Sequence, residues 1–371
     1  MTQTLEMQLT KRTLYGNLRQ LQLAAPKIDF ASNDYLGLAR SPELAAAVLE
    51  EWHQHEHLRL GSTGSRLLTG NSSYAEQLEE MIATFHGYPA GLLFSCGYMA
   101  NIGLLSAITT SKSTIVFDAS IHASIRDGLR LSKAQAFPFR HNDLDHLEYR
   151  LKQRPVEGDL FICIESLYST DGSTAPLQDI CRLAKRYDAH LIVDEAHAVG
   201  VCGPEGRGLI AKHHLMPDIF AQVITFGKAL GTYGAIVLGS ALLKRALVNF
   251  ATSFIYTTAL PFYMLAAIQC SYAIFPNMEK ERQHLEQLIY RISKTPFQAS
   301  GTHIQALSIP GNAAVKEVSQ ALSKNGFDIR PLMSPTVQKG HEILRLSLHA
   351  FNTEKELFEL FNLIRTLGIY V

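Results

Sequence analysis

One lysine, Lys228, stands among small residues in VITFGKALGTYGA, residues 223–235, directly after a short apolar run. A long charged side chain in that company has two readings. It is a loop lysine with its head in water, or an amine held in a pocket to react as nucleophile and base. Other apolar runs also end in residues with chemistry of their own. They end at Cys96 to Asn101, at Asp118 to His122, at Glu165 to Ser169, at Asp194 to His197 and at Thr225 to Lys228. In an open parallel sheet, ligands lie outside the carboxyl ends of the strands. A lysine, two aspartates, a glutamate, two histidines and several hydroxyls would then share one mouth.

Pyridoxal phosphate demands such a set: an amine for a Schiff base, a carboxylate for the pyridinium nitrogen and a phosphate cradle. Lys228 and Asp194 supply the first two from separate strand ends. An acidic partner keeps the ring nitrogen protonated, so the ring drains charge from a carbanion. Gly97 and Tyr98, in SCGYMANIG, offer backbone N–H groups where a helix begins, and the Thr225 hydroxyl adds a donor. His122 could stack on the ring face, with a capping or core histidine as the competing reading. Asp194 taken alone could be a helix cap, and Glu165 and Glu195 carry similar structural readings.

The elements that must position these groups are legible as a repeating pattern. Runs rich in Val, Ile, Leu and Phe fall near residues 91, 113, 134, 159, 189, 221 and 234, mostly separated by helix-length segments. Near-continuous apolar strands predict a mostly parallel seven-stranded sheet buried on both faces by helices. The last two runs are too close for a crossover helix, so they are antiparallel or far apart in strand order. Leu177, Ile180, Leu183 and Ala184 keep helical spacing after Pro176, and Leu78, Ile82 and Phe85 do so before a stop at Gly87. HIQALSIP and EILRLSLHAF read as strands of a smaller α+β domain. The expected division is an N-terminal segment at 1–40, a large cofactor-binding α/β domain at 41–250 and a small C-terminal domain at 251–371.

Composition bounds the partners. The 371 residues carry zero formal net charge, which gives no electrostatic case for nucleic acid or an anionic membrane. No apolar run reaches the roughly 18 residues that span a bilayer, and the N-terminus lacks the pattern of a signal peptide. Five cysteines without metal-like spacing suit a reduced, cytoplasmic protein. His53 and His57 lie four apart on one helix face, like a metal pair, but lack a third ligand of the right spacing, so no metal site is expected. GPEGRG at 203–208 follows no strand and is not read as a dinucleotide loop.

The motifs NDYLGLA, GSTGSRLLTGNSSYAEQLE, SCGYMANIG, IHASIRDG, ESLYSTDGSTAPL, DEAHAVGVCGPEGRG and TFGKALG occur in this order. In them the chain resembles the α-oxoamine synthases, pyridoxal-phosphate enzymes of the aspartate-aminotransferase fold class (fold type I). The resemblance covers about residues 29–262 strongly. It implies that Lys228 is the Schiff-base lysine, that Asp194 pairs with the pyridinium nitrogen and that His197 bonds the ring hydroxyl oxygen and helps place the acyl substrate. It implies that His122 stacks on the ring, that Ser169 and Glu165 line the pocket, and that Gly97, Tyr98 and Thr225 hold the phosphate. Thr257 and Thr258 would reach the phosphate of a second subunit, which makes a homodimer. Arg345, aided by Asn33, would bind the amino-acid carboxylate as a bidentate fork.

The reaction implied is a decarboxylative Claisen condensation of an amino acid, alanine foremost, with an acyl thioester, pimeloyl on coenzyme A or acyl carrier protein for the biotin route. Within the family the alternatives are glycine with acetyl, succinyl or long acyl thioesters. Outside it they are a fold type I aminotransferase or a non-enzymatic binding protein. Three features depart from the family pattern. Its N-terminal carboxylate-binding arginine falls on Arg12 or Arg19, Tyr74 stands where a histidine is common, and Ser173 replaces a common acidic residue. These bear on substrate selection more than on the basic chemistry.

Overall fold

The apolar runs become one seven-stranded sheet. Its strands are β1 (Ala90–Phe94), β2 (Thr114–Asp118), β3 (Gln135–Phe139), β4 (Leu160–Glu165), β5 (Ala189–Asp194), β6 (Ala221–Thr225) and β7 (Ala235–Gly239). The spatial order is β1-β7-β6-β5-β4-β2-β3. β7 is the antiparallel member, pairing that way with both β1 and β6, while β2 to β6 pair in parallel. The short β6–β7 connection therefore joins antiparallel neighbours, as a connection with no crossover helix must. Every residue of β2, β4 and β7 is buried, the mark of strands covered on both faces.

Helices fill the two faces. Helix α1 (Ser73–His86) starts at Ser72, whose hydroxyl accepts the Ala75 N–H, and stops at Gly87 in the left-handed region. It buries Leu78 and Ile82. Helix α2 (Gly97–Ala107) follows β1 directly, α3 (Ala123–Leu131) follows β2, and α4 (Leu177–Arg186) lies between β4 and β5. Ile115, Phe161, Cys163 and Val223 of the sheet pack with Leu104 and Leu105 of α2 and Ile125 of α3 in one core.

This computed structural model describes residues 2–21, 27–55, 61–153, 157–295, 297 and 299–368. The chain divides into a larger unit, residues 36–169 and 174–279, and a smaller one, residues 1–35, 170–173 and 280–371. Residues 251–279, expected in the small domain, thus pack in the larger unit. Their helix Phe262–Ile274 is apolar nearly all round and buries Phe262, Leu265, Ala266, Ile268 and Tyr272, so it must be enclosed. It packs on Pro42–Gln54 and on α1. The N-terminal segment does not stand apart from the small unit either. Ile28–Asp29 pairs in parallel with Phe327–Asp328. Within the small unit, β8 (Ile304–Ser308), β9 (Arg330–Leu332) and β10 (Ile343–Ser347) form an antiparallel sheet in the order β9-β10-β8. Its helices include Asn312–Lys324 and Glu354–Thr366, the latter opened by a Thr353–Glu356 capping box. Among the described residues, no helix is long and apolar enough to cross a membrane.

One turn decides where Lys228 points. After β6 the chain makes a tight excursion in which Gly231 N donates to Lys228 O at 2.9 Å and Thr232 N to Phe226 O at 2.9 Å. Gly231 has φ +67°, and a Cβ there would sit 2.4 Å from the backbone nitrogen of Ala39. A side chain at this position meets both left-handed strain and an immovable backbone. Gly231→Ala is expected to cost at least about 2 kcal/mol, lowering the thermal midpoint by several degrees in calorimetry.

Candidate active site

Lys228, Asp194, His197, His122, Glu165, Gly97, Tyr98 and Thr225 line one cavity of the larger unit, together with Asn101 and Ser124. Each reaches it from the carboxyl end of a parallel strand or from the segment that follows one. Asp194 ends β5 and Glu165 ends β4, and the two are direct partners in the parallel ladder, so their side chains leave the sheet on the same face. Lys228 lies three residues beyond β6, half-buried, with its Nζ 2.7 Å from Nε2 of His197. His197 itself is buried.

Asp194 is fixed on both oxygens. Oδ1 accepts the Ala196 N–H at 2.9 Å, and Oδ2 accepts Asn101 Nδ2 at 2.8 Å. Glu165 is treated differently by its surroundings. It is buried, it lies beside Asp194, and it accepts the backbone N–H groups of His122 and Ser169. Burial, reinforced by the Asp194 charge and opposed by Lys228, pushes its carboxyl up to about 8. Of the two facing carboxyls, Glu165 is therefore the one whose surroundings favour the protonated form.

His122 is both cap and wall. It is the N-cap of α3, its ring Nδ1 accepting the Ser124 N–H at 3.2 Å, and the residue is exposed. The capping reading and the ring-face reading are therefore compatible. The protein packed around the ring holds its affinity for a second proton below the ordinary imidazole value, against the pull of Asp194 and with the push of Lys228. The Tyr98 ring stands edge-on to it at 6.4 Å.

The start of α2 has the form of an anion seat. Its N-cap, Cys96, gives no side-chain hydrogen bond to the first turn, which leaves N–H groups there for a ligand. Gly97 keeps the approach open, since a Cβ would lie 3.4 Å from Thr225 Cβ and 3.6 Å from Thr225 Oγ1. An amine, a fixed carboxylate, an exposed imidazole and this cradle fit pyridoxal phosphate.

Several residues fall elsewhere. Ser169 reaches the site through its backbone bond to Glu165. Thr257 and Thr258 line a second pocket of the larger unit, with Arg66 and Phe94, rather than the Lys228 cavity. Asn33 and Arg345 belong to the smaller unit, where Arg345 Nη2 donates to Asn33 Oδ1 at 3.1 Å and to Tyr35 Oη at 3.2 Å. Burial raises the Tyr35 hydroxyl to about 12, with Arg345 opposing, so it stays a neutral partner. His53 is exposed, and His57 lies outside the described residues. Glu195 turns away from the chemistry. Its carboxyl accepts Leu209 N at 2.8 Å, Ile210 N at 3.1 Å and Gln222 Nε2 at 2.7 Å, and so caps the short helix Leu209–Lys212. Asn101 and Ser124 are the residues whose part in the site was not read from sequence. Asn101 falls four residues after Gly97, on the same face of α2, and that spacing was the available signal.

The fold and site define a fold type I, aspartate-aminotransferase-like protein. The chain belongs to the aminotransferase class I and II family, whose model matches residues 25–364. It is 38% identical over 371 aligned residues to the 8-amino-7-oxononanoate synthase of Emericella nidulans, covering 93% of this chain and 90% of that one. The serine palmitoyltransferase of S. paucimobilis, solved with bound PLP, superposes with a TM-score of 0.87 at 27% identity, covering 99% of this chain and 98% of that one. The 8-amino-7-oxononanoate synthase of Francisella tularensis superposes with a TM-score of 0.79 at 28% identity, covering 93% and 98%.

The proton on Glu165 has a measurable consequence. A carboxyl whose folded affinity is raised stabilises the fold fully below its unfolded value near 4.5, and that contribution is lost as pH rises through about 8. Glu165→Gln carries no such titration. In the cofactor-free protein, the thermal midpoint of the variant relative to wild type should rise steadily between pH 5 and pH 8. A difference that stays flat with pH would show that Glu165 is ionised throughout.

Proposed function

We propose that this protein condenses L-alanine with a pimeloyl thioester, on coenzyme A or acyl carrier protein, giving 8-amino-7-oxononanoate, carbon dioxide and free thiol in biotin synthesis. The observation that carries the reading is that Lys228 and Asp194 line the same cavity, in a chain 38% identical to an enzyme of that name. At the coarser level the protein is an enzyme of the α-oxoamine synthase type, a pyridoxal-phosphate-dependent acyltransferase. Bound in the cavity, pyridoxal phosphate serves as the electron sink that renders the Cα proton of the amino acid acidic.

The residues do the rest. Lys228 Nζ takes the Cα proton and later returns it. His197 Nε2, 2.7 Å from that amine, orients it and polarises the thioester carbonyl. Asp194 presents its carboxylate to the ring nitrogen, and His122 covers the ring face. Gly97, Tyr98 and Thr225 hold the phosphate, and Ser169 and Glu165 close the wall beside the ring oxygen. The new bond joins Cα to the thioester carbonyl carbon. The C–S bond breaks and the sulfur leaves as thiolate, which takes a proton from solvent to become the free thiol. The carboxylate of the amino acid departs as carbon dioxide, and its bonding pair accepts the returned proton. Arg345, braced by Asn33 and Tyr35, offers a guanidinium fork to the amino-acid carboxylate.

Thr257 and Thr258 serve a second copy of the chain. Beside them Tyr256 is 83% exposed, and Leu68, across the Ser65–Thr258 bridge, is 80% exposed. An apolar rim of this kind suits a partner subunit and supports the reading of a homodimer with shared sites. Five cysteines, none of them in a disulfide, suit the reducing cytoplasm. A second reading, an α-oxoamine synthase taking a longer acyl thioester, draws on the fold match to serine palmitoyltransferase.

The deciding experiment supplies the PLP-loaded protein with alanine, glycine or serine and a panel of acyl thioesters, and measures thiol release and product mass. Alanine with pimeloyl thioester should give the highest kcat/KM; a long acyl chain with serine or glycine would select the second reading, and a keto acid without thiol release would mark an aminotransferase. Lys228→Ala should lower kcat by at least about 10³-fold and abolish covalent retention of the cofactor. Arg345→Lys should raise the KM for the amino acid roughly tenfold while leaving the KM for the thioester near wild type.

A further inference from the structure

Two fully enclosed polar side chains stand behind the cavity with no part in the chemistry above. Asn101 on α2 is 3% exposed, and Ser124 on α3 is 1% exposed. Asn101 Nδ2 makes two bonds, to Asp194 Oδ2 at 2.8 Å and to Ser124 Oγ at 3.0 Å. Ser124 Oγ in turn lies 2.8 Å from Nδ1 of His122. The Asn101 bonds have their direction fixed by chemistry, and the Ser124–His122 bond has its direction set by the Ser124 N–H that Nδ1 already accepts. An amide nitrogen has two hydrogens and no available lone pair, so it donates twice. The carboxylate can only accept, and Ser124 Oγ, accepting from Asn101, has its own hydrogen left to give. The acceptor for it is Nδ1 of His122, which also receives the Ser124 N–H. Neutral His122 must then carry its hydrogen on Nε2, the nitrogen directed away from the relay. The two helices are held close enough for this because Gly128 of α3 has no side chain; a Cβ there would lie 3.0 Å from the Asn101 carbonyl oxygen.

We infer that Asn101 and Ser124 are positioning residues that lock the rotamer of Asp194 and the tautomer and plane of His122 as one unit. A single amide thus sets both the carboxylate below the ring nitrogen and the imidazole over the ring face. The inference rests on the proposed roles of those two residues toward pyridoxal phosphate. The relay itself is a property of the cofactor-free chain and is tested there.

In the cofactor-free protein, ¹H–¹⁵N correlation spectra, with His122 assigned through a His122→Gln variant, should show the Nε2–H tautomer. An Nδ1–H tautomer would overturn the relay whatever becomes of the proposed reaction. With cofactor, Asn101→Ala should weaken PLP binding roughly tenfold, the worth of one charge-assisted hydrogen bond. Ser124→Ala should weaken it several-fold, and Ser124→Thr, which keeps the hydroxyl, should bind like wild type. Because the bonds form one chain, the double variant should bind less weakly than the product of the single effects. Additive losses, or cofactor affinities unchanged in all variants, would contradict the inference. Should Asn101→Ala fail to fold, the comparison of Ser124→Ala with Ser124→Thr still decides it, since equal binding by the two would contradict it.

Discussion

Two carboxyl groups end adjacent parallel strands in direct register, Glu165 against Asp194, and both are buried on one face of the sheet. The rest of the site follows from that constraint. Like charges on one sheet face repel strongly where water is excluded. Asp194 receives two hydrogen bonds, from Asn101 and the Ala196 backbone, while burial beside Asp194 pushes the Glu165 carboxyl up to about 8. Lys228 brings the compensating cation from the next strand, and His197 fixes where that amine stands. The result is a carboxylate and an amine that face one cavity, set before any ligand arrives.

The neighbouring carboxyl shows how local the distinction is. Glu195 follows Asp194 directly, yet its carboxyl leaves on the other side of the chain and caps the turn after the glycine-rich segment. Gly208 there has φ +102°, and a Cβ would lie 2.2 Å from Glu195 Oε2, so glycine is required for the cap to close. The segment GPEGRG is thus tied to the strand that carries Asp194, and its glycines shape the turn.

The sheet was legible because its strands are buried on both faces, which leaves unbroken apolar runs that no surface element would show. The strand-end rule then collected the amine, the carboxylates and the imidazoles from four separate runs without any knowledge of their distances. The unit boundary was not legible. Helix Phe262–Ile274 reads as a change of pattern, but its all-round apolarity requires enclosure, and the larger unit provides it. The roles of Asn101 and Ser124 were not legible for a different reason. Each is an ordinary polar residue within a helix, and its importance comes from a partner 23 to 93 positions away in sequence. Thr257 and Thr258 line a pocket apart from the Lys228 cavity of their own chain.

The account stands on Lys228 as the amine that meets the cofactor, opposite Asp194. The most direct measurement is borohydride reduction of the PLP-loaded protein, followed by proteolysis and peptide mass mapping. The account predicts a single pyridoxyl adduct on the peptide containing Lys228, lost on acid extraction if reduction is omitted. An adduct on another lysine, or none on a protein that nonetheless turns over, would contradict it.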